Sequence, residues 1–225
     1  MYNVLCLTGF ILLLSACHAR DAGTGATQHN PAPAPEAEGR RPAIVPASPN
    51  QKPPTDTVAF EEAFGRFFAA LQTQDTALLN TFISPKEGFW LIEQPGAVPA
   101  YSHYIRVQDV KRQYQGQPFV SIAAQMQTCA LQRHPFPAFD CAGTDNGGSG
   151  YAEDGCFYTS GAAFRQNDMW KYASLPHQQE QQVQQLQQRV LRSVLHTYTS
   201  FRFHFGYDGS QWQLLFVDLR VPCSA

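Results

Sequence analysis

Six cysteines, seven histidines and a thin scatter of carboxylates are the residues with the widest chemical range in this chain. Thiols can pair, carry a lipid or bind zinc, and spacing selects among these fates. Zinc sites draw on C-x-x-C or H-x-x-x-H pairs that present two ligands from one turn. Cys129, Cys141, Cys156 and His134 offer neither, so no metal is expected. A calcium loop read from Asp145 would need oxygen ligands where Gly147 and Cys156 stand, which leaves Asp145, Asn146, Ser149, Glu153 and Asp154 as a polar loop. G-x-S-x-G, H-E-x-x-H, S-x-x-K and the Walker glycine loop are all absent. His103, His134, His177, His196 and His204 stand singly, and His204 alternates with Phe203 and Phe205 in the manner of a packed, satisfied histidine. No catalytic residue is assigned and no cofactor is expected. A hydrolase or carbohydrate-processing site would have to be assembled from dispersed groups such as Glu93, His103, Tyr104 and Asp109.

Sixteen Lys and Arg against eighteen Asp and Glu give a net charge of −2, and only 15% of residues are charged. That balance lacks the basic footprint a nucleic-acid partner requires. A hydrophobic content of 44% with 12% aromatics supports a folded, β-containing domain instead.

Val4 to Leu14 is an apolar stretch, too short for the roughly 20 residues of a spanning helix, and it ends in Leu14-Ser15-Ala16-Cys17. That tetrapeptide resembles the lipobox of bacterial lipoproteins. The resemblance implies a signal peptide over 1–16, cleavage before Cys17, and a diacylglyceryl thioether on Cys17 with an amide-linked third chain. Two or more acyl chains anchor a protein stably, so the membrane is an implied partner and the cell envelope the implied address. His18 stands where an Asp would imply retention in the inner membrane, which points to the outer membrane, and no acidic run resembling a surface-export tag follows, which points to its periplasmic side.

Residues 17–56 read as the lipidated cysteine and a disordered Pro/Ala-rich tether. Positions 18–56 hold eight of the sixteen prolines and eight alanines, too little apolar surface to offset the entropy of ordering. The coil spans about 34 Å and lifts a single globular domain, 57–225, clear of the head groups.

Within that domain Asp56 caps a helix from about Val58 to Gln72, because Phe60, Phe64, Phe67, Phe68 and Leu71 form one stripe. Asp75 caps a short second helix ending at Ser84-Pro85. Phe89 to Glu93, Phe119 to Thr128 and Cys156 to Phe164 read as strands, 129–156 as a long loop, and Gln178 to His196 as an amphipathic helix carrying Val183, Leu186, Val190 and Val194. Phe201 to Phe216 reads as a β-hairpin with a two-residue turn at Asp208-Gly209. That turn pairs Phe205 with Trp212, Phe203 with Leu214 and Phe201 with Phe216, all on one face, and leaves the last strand interior to the sheet. The fold class is α+β: an antiparallel sheet with a C-terminal aromatic hairpin, packed by an N-terminal helix pair and one long helix.

With Cys6 in the signal peptide and Cys17 lipidated, Cys129, Cys141, Cys156 and Cys223 remain, an even count that predicts two disulfides among three pairings. Strands ending at Thr128 and starting at Phe157, paired across the loop, favour Cys129 with Cys156 and Cys141 with Cys223. The helix pair Phe60 to Ile83 with its Gln74-Asp75 turn loosely resembles the opening of NTF2-like folds. Phe139-Asp140-Cys141 and Pro222-Cys223-Ser224-Ala225 resemble patches of uncharacterised envelope lipoproteins of Bacteroidota. The expected role is a non-enzymatic binding or assembly module of the envelope, meeting a protein or glycan through the 132–155 loop or the Trp90 to Tyr104 segment, with the hydrolase as the alternative.

Overall fold

A computed structural model of the chain describes residues 57–112, 116–144 and 147–223. The signal peptide, Cys17, the tether through Asp56, and Asp145, Asn146, Ser224 and Ala225 lie outside the described residues. No helix among those described is long and apolar enough to cross a membrane.

Helix α1 (Thr57–Gln72) buries the stripe formed by Phe60, Phe64, Phe67, Phe68 and Leu71. Gln74 then turns the chain with φ 56°, and the Asp75 carboxylate accepts from the Leu78 N–H at 2.9 Å to start α2 (Thr76–Thr81). Seven strands follow: β1 (Phe89–Glu93), β2 (Ala100–Tyr104), β3 (Leu131–Arg133), β4 (Cys156–Ser160), β5 (Arg192–His196), β6 (Phe201–Tyr207) and β7 (Trp212–Asp218). They form one α+β sheet in the order β2-β1-β7-β6-β5-β4-β3. It is mostly antiparallel, with β1 parallel to β7 and β3 parallel to β4. All seven residues of β7 are buried, as befits an interior strand covered on both faces.

The first face packs under α1. Phe60 meets Trp212 edge-on at 4.7 Å, and Phe67 meets Phe205 at 5.3 Å and Phe203 at 5.4 Å. Edge-to-face pairs of this kind add about 0.5–1.5 kcal/mol each beyond the area they bury. The second face packs under α3 (Ala162–Arg165) and α4 (His177–Gln188), where Phe164, Val183 and Leu186 cover Trp90, Leu215 and Phe216.

Four expectations change. The helix expected to reach His196 stops at Gln188, and Arg192–His196 is strand β5. Val190 and Val194 kept the helical period only by coincidence; Val194 belongs to the α1 side of the core and Val190 to the opposite one. The strand expected at Phe119 to Thr128 is a 3-10 turn over Phe119–Gln125, because Phe119 and Ile122, three apart, are the residues it buries. The strand expected at Cys156 to Phe164 ends at Ser160, and Leu131–Arg133 within the long loop forms β3.

The hairpin is also wider than a two-residue turn. Asp208 accepts from the backbone N–H of Ser210 and of Gln211 at 2.8 and 2.9 Å, which stabilises a loop closed by Tyr207 opposite Trp212. Phe205 therefore faces Leu214 and His204 faces Phe216, with Leu215 bulged between them. The bulge sends Leu215 and Phe216 together to the second face, so the aromatics divide between faces. Gly206 permits it: a Cβ there would lie 2.7 Å from Leu215 Cδ1 and 2.9 Å from the Arg189 carbonyl.

Cys129 joins Cys156 and Cys141 joins Cys223, with Cα atoms 5.6 and 6.0 Å apart. The neighbourhood of the first pair differs from the expected hairpin across the loop. It comes from the parallel pairing that sets Leu131 beside Cys156.

Candidate functional site

Residues opposite one another on neighbouring strands point to the same face, so the register lays out the second face row by row. One row reads Thr159, Ser193, His204, Phe216, Trp90 from β4 to β1. The next reads Phe157, Leu195, Arg202, Asp218, Ile92. Toward α4 these rows are apolar. Between β4 and β7 they bring a hydroxyl, an imidazole, a guanidinium and a carboxylate together. With Phe136, Phe164, Asn167 and Arg220 these polar groups line a cavity of about 330 Å³, the lower end of the range for small-ligand sites.

The roof of the cavity is fixed by α4. Gln187 is buried and its Nε2 donates to the carbonyls of Phe164 and Asn167, both at 2.5 Å. Arg165 donates to the Val190 carbonyl. Gly161, which leads into α3, lies so close to the segment before β5 that a Cβ would come 2.5 Å from the Val190 carbonyl oxygen.

Inside, Ser193 Oγ and His204 Nδ1 share a hydrogen bond of 2.8 Å, and the imidazole stacks on Phe164 with ring centroids 3.6 Å apart. His204 Nε2 is buried without a hydrogen-bond partner among the described residues. Burial pushes the His204 pKa down to about 3; Asp218 opposes that shift, and Arg202 and Arg220 add to it. The ring is therefore neutral at physiological pH. Asp218 is buried too, which by itself disfavours its charge, but the Arg220 hydrogen bonds and the nearby Arg202 hold its pKa below the usual value. Arg220 grips it through Nε at 2.8 Å and Nη2 at 2.6 Å, and its Nη1 reaches Met169 Sδ at 2.8 Å. Arg202 donates to the Tyr151 hydroxyl at 3.1 Å. Among the described residues no carboxylate forms an ion pair with Arg202. Two guanidiniums against one carboxylate leave the cavity with one positive charge in excess.

The four residues named from sequence for a dispersed hydrolase site lie elsewhere. Glu93 pairs with Arg112 at 3.1 Å, His103 Nε2 contacts the Glu87 carbonyl at 2.6 Å, Tyr104 donates to the Lys111 carbonyl, and Asp109 pairs with Arg106. None of the four lines this cavity. The Trp90 to Tyr104 segment is the β1–β2 hairpin, and Trp90 is 1% exposed, which removes it as a presented residue. His134 bonds to the Pro135 carbonyl, and the histidine beside Cys129 and Cys156 is His196. Those two sulfurs bond each other, and His196 Nε2 is engaged by the Gln127 backbone, so this cluster does not read as a metal centre. In the 132–155 loop Ser149 donates to Asp154 at 2.5 Å.

His204 sits on the face opposite the phenylalanines, where alternation puts it, yet only one of its nitrogens is satisfied. Ser193 was hidden inside an apparent helix. Arg202 shared the alternation of His204, and two polar residues on one face of an interior strand were the available signal. Comparison with known proteins finds no similar family model, curated protein or solved structure.

Proposed function

We propose that this chain is a lipid-anchored binding protein of the bacterial cell envelope, held by Cys17 at the outer membrane and facing the periplasm, whose domain captures a small ligand in the second-face cavity. The resemblance of Leu14 to Cys17 to a lipobox and the composition of 18–56 support the anchor. The observation that carries the binding role is the cavity itself. Its polar groups come from four strands and two flanking segments, converge on one space, and include a buried nitrogen with no partner among the described residues. A buried polar group without a partner calls for an explanation, and a bound ligand would supply one.

Binding suits these groups better than hydrolysis. Ser193 occupies His204 Nδ1 and Asp218 is bonded to Arg220, so no carboxylate orients the ring as a serine nucleophile would need. The ligand would belong to an envelope glycan or protein, or be a small molecule passing through the envelope.

Two measurements test this reading. An alkyne fatty acid fed to cells should label the wild type and leave Cys17→Ser unlabelled; equal labelling contradicts the anchor. Native mass spectrometry of the mature chain after incubation with a small-molecule envelope extract should show a bound adduct. Ala163 is exposed at the cavity lining, so Ala163→Trp fills it from the solvent side without disturbing the core. That variant should lose the adduct, and an adduct it retains places the ligand elsewhere.

A further inference from the structure

We propose that the cavity recognises a carboxylate, seated between the Arg202 guanidinium and the Nε2–H of His204, with the remainder of the ligand against Phe136 and Phe164. The inference rests on the cavity being a ligand site and adds the chemical class of the ligand.

Charge selects the class first. Arg220 is committed to Asp218 through Nε and Nη2, so the excess positive charge belongs to Arg202. Among the described residues Arg202 hydrogen-bonds to the neutral Tyr151 hydroxyl and to no carboxylate, which leaves donors of a planar fork available. One unneutralised guanidinium in a mostly buried setting matches a monoanion, and the fork matches the two oxygens of a carboxylate. A phosphate dianion would bring a second negative charge toward Asp218. Sites for phosphate usually add several backbone N–H donors, and α3, with four residues, provides no such helix terminus.

The histidine supplies the second element. Ser193 Oγ can donate to Nδ1, which places the ring proton on Nε2 and makes that atom a donor. Among the described residues it is the buried polar group of this face that lacks a partner, and an incoming carboxylate oxygen would satisfy it. Because the ring is neutral, it adds a hydrogen bond without another charge to desolvate. The stacked Phe164 holds its orientation, so little ordering remains for the moment of binding. Thr159 and Ser160 stand at the lining, where hydroxyls on the ligand could meet them.

The test uses matched probes that differ only in the charged group, titrated into the mature full-length chain: benzoate against benzamide, glucuronate against glucose, and inorganic phosphate. The acid of each pair should bind at least tenfold more tightly than its neutral partner, and phosphate should bind more weakly than either acid. The 15N signal of His204 Nε2–H should shift on adding benzoate and stay fixed on adding benzamide. Arg202→Lys keeps the charge but not the fork and should cost the acids about tenfold more than it costs the neutral probes. Equal binding of acid and amide at the cavity overturns the carboxylate assignment and leaves the binding role standing. Binding that survives Ala163→Trp removes the cavity as the site altogether. Tighter binding of phosphate, or no binding of either acid, also overturns the proposal.

Discussion

The two faces of this sheet are built on the same strands and obey opposite rules. Beneath α1, β6 and β7 present Phe203, Phe205, Trp212, Leu214 and Val217, all buried and held by ring packing. One residue along each strand, the other face presents Arg202, His204 and Asp218, held by hydrogen bonds and a paired charge. Apolar surface stabilises by its area and without regard to direction. Buried polar groups stabilise only when each partner is in place. A chain that selected for stability alone would have made the second face apolar throughout, as it is near α4. The contrast locates the cost of function in the part of the sheet where the apolar rows give way to polar ones.

The strongest way to probe that contrast is to remove what ties the polar side together. Cys141 and Cys223 close 82 residues and fasten the end of the chain, just past Arg220, to the 132–155 loop that carries Tyr151 and Phe136. The loop-entropy limit for such a bridge is about 4–5 kcal/mol. Cys223→Ser should lower the unfolding free energy by a large part of that in urea titrations and weaken benzoate binding as well. Unchanged stability would show that the loop is held by other contacts. The 27-residue Cys129 to Cys156 closure should matter less, at about 3–4 kcal/mol.

Phe67→Ala attacks the opposite face. Phe67 is fully buried against Phe82, Phe203 and Phe205, so the truncation should cost about 3–5 kcal/mol. Binding measured well below the new melting temperature should be nearly unaffected, because the sheet separates the two faces. A proportional loss of binding would mean that the faces are coupled.

Acid distinguishes the faces without mutation. Burial depresses the folded pKa of His204 to about 3 from the ordinary 6.5, and it depresses that of His196 in the same direction. Between those values the unfolded chain binds protons that the folded chain does not, so stability falls as pH drops through that window. For His204 alone the loss is about 1 kcal/mol per pH unit below 6.5. Asp218 adds a further loss only near and below the usual carboxylate range, since its folded pKa is lowered. Urea midpoints at pH 7, 6 and 5 should decline steadily, and a flat profile would contradict the neutral buried ring.

Gln187→Ala has a smaller expected effect on stability than the bridge or Phe67, about 1–2 kcal/mol for two lost hydrogen bonds to the roof. It should loosen Phe164 and Asn167 and weaken binding by more than it weakens the fold.

The aromatic face was legible in the sequence and the polar site was not, for a physical reason. The α1 stripe is a local pattern whose period alone identifies its buried side, and the alternation of Phe201, Phe203 and Phe205 is equally local. The site depends on register between Ser193, Arg202, His204 and Asp218, contributed by three strands. Register in turn depended on the Leu215 bulge and the Asp208 loop, which a two-residue turn misses by enough to send Phe216 to the wrong face. Val190 and Val194 show the same limit, since helical spacing over four apolar residues cannot reveal that the chain has already entered a strand.

The most direct test of the division of labour is the double substitution Ser193→Ala with His204→Leu, which removes both partners of the buried hydrogen bond and the unpaired Nε2 together. Replacing both members of such a pair by apolar groups is nearly neutral or stabilising when the pair does not maintain the fold. The unfolding free energy at pH 7 should therefore stay within about 1 kcal/mol of wild type, the acid-dependent loss should shrink to the His196 share, and benzoate binding should disappear. A loss above about 3 kcal/mol with binding retained would instead make the polar face a structural element, contradicting its role as the site.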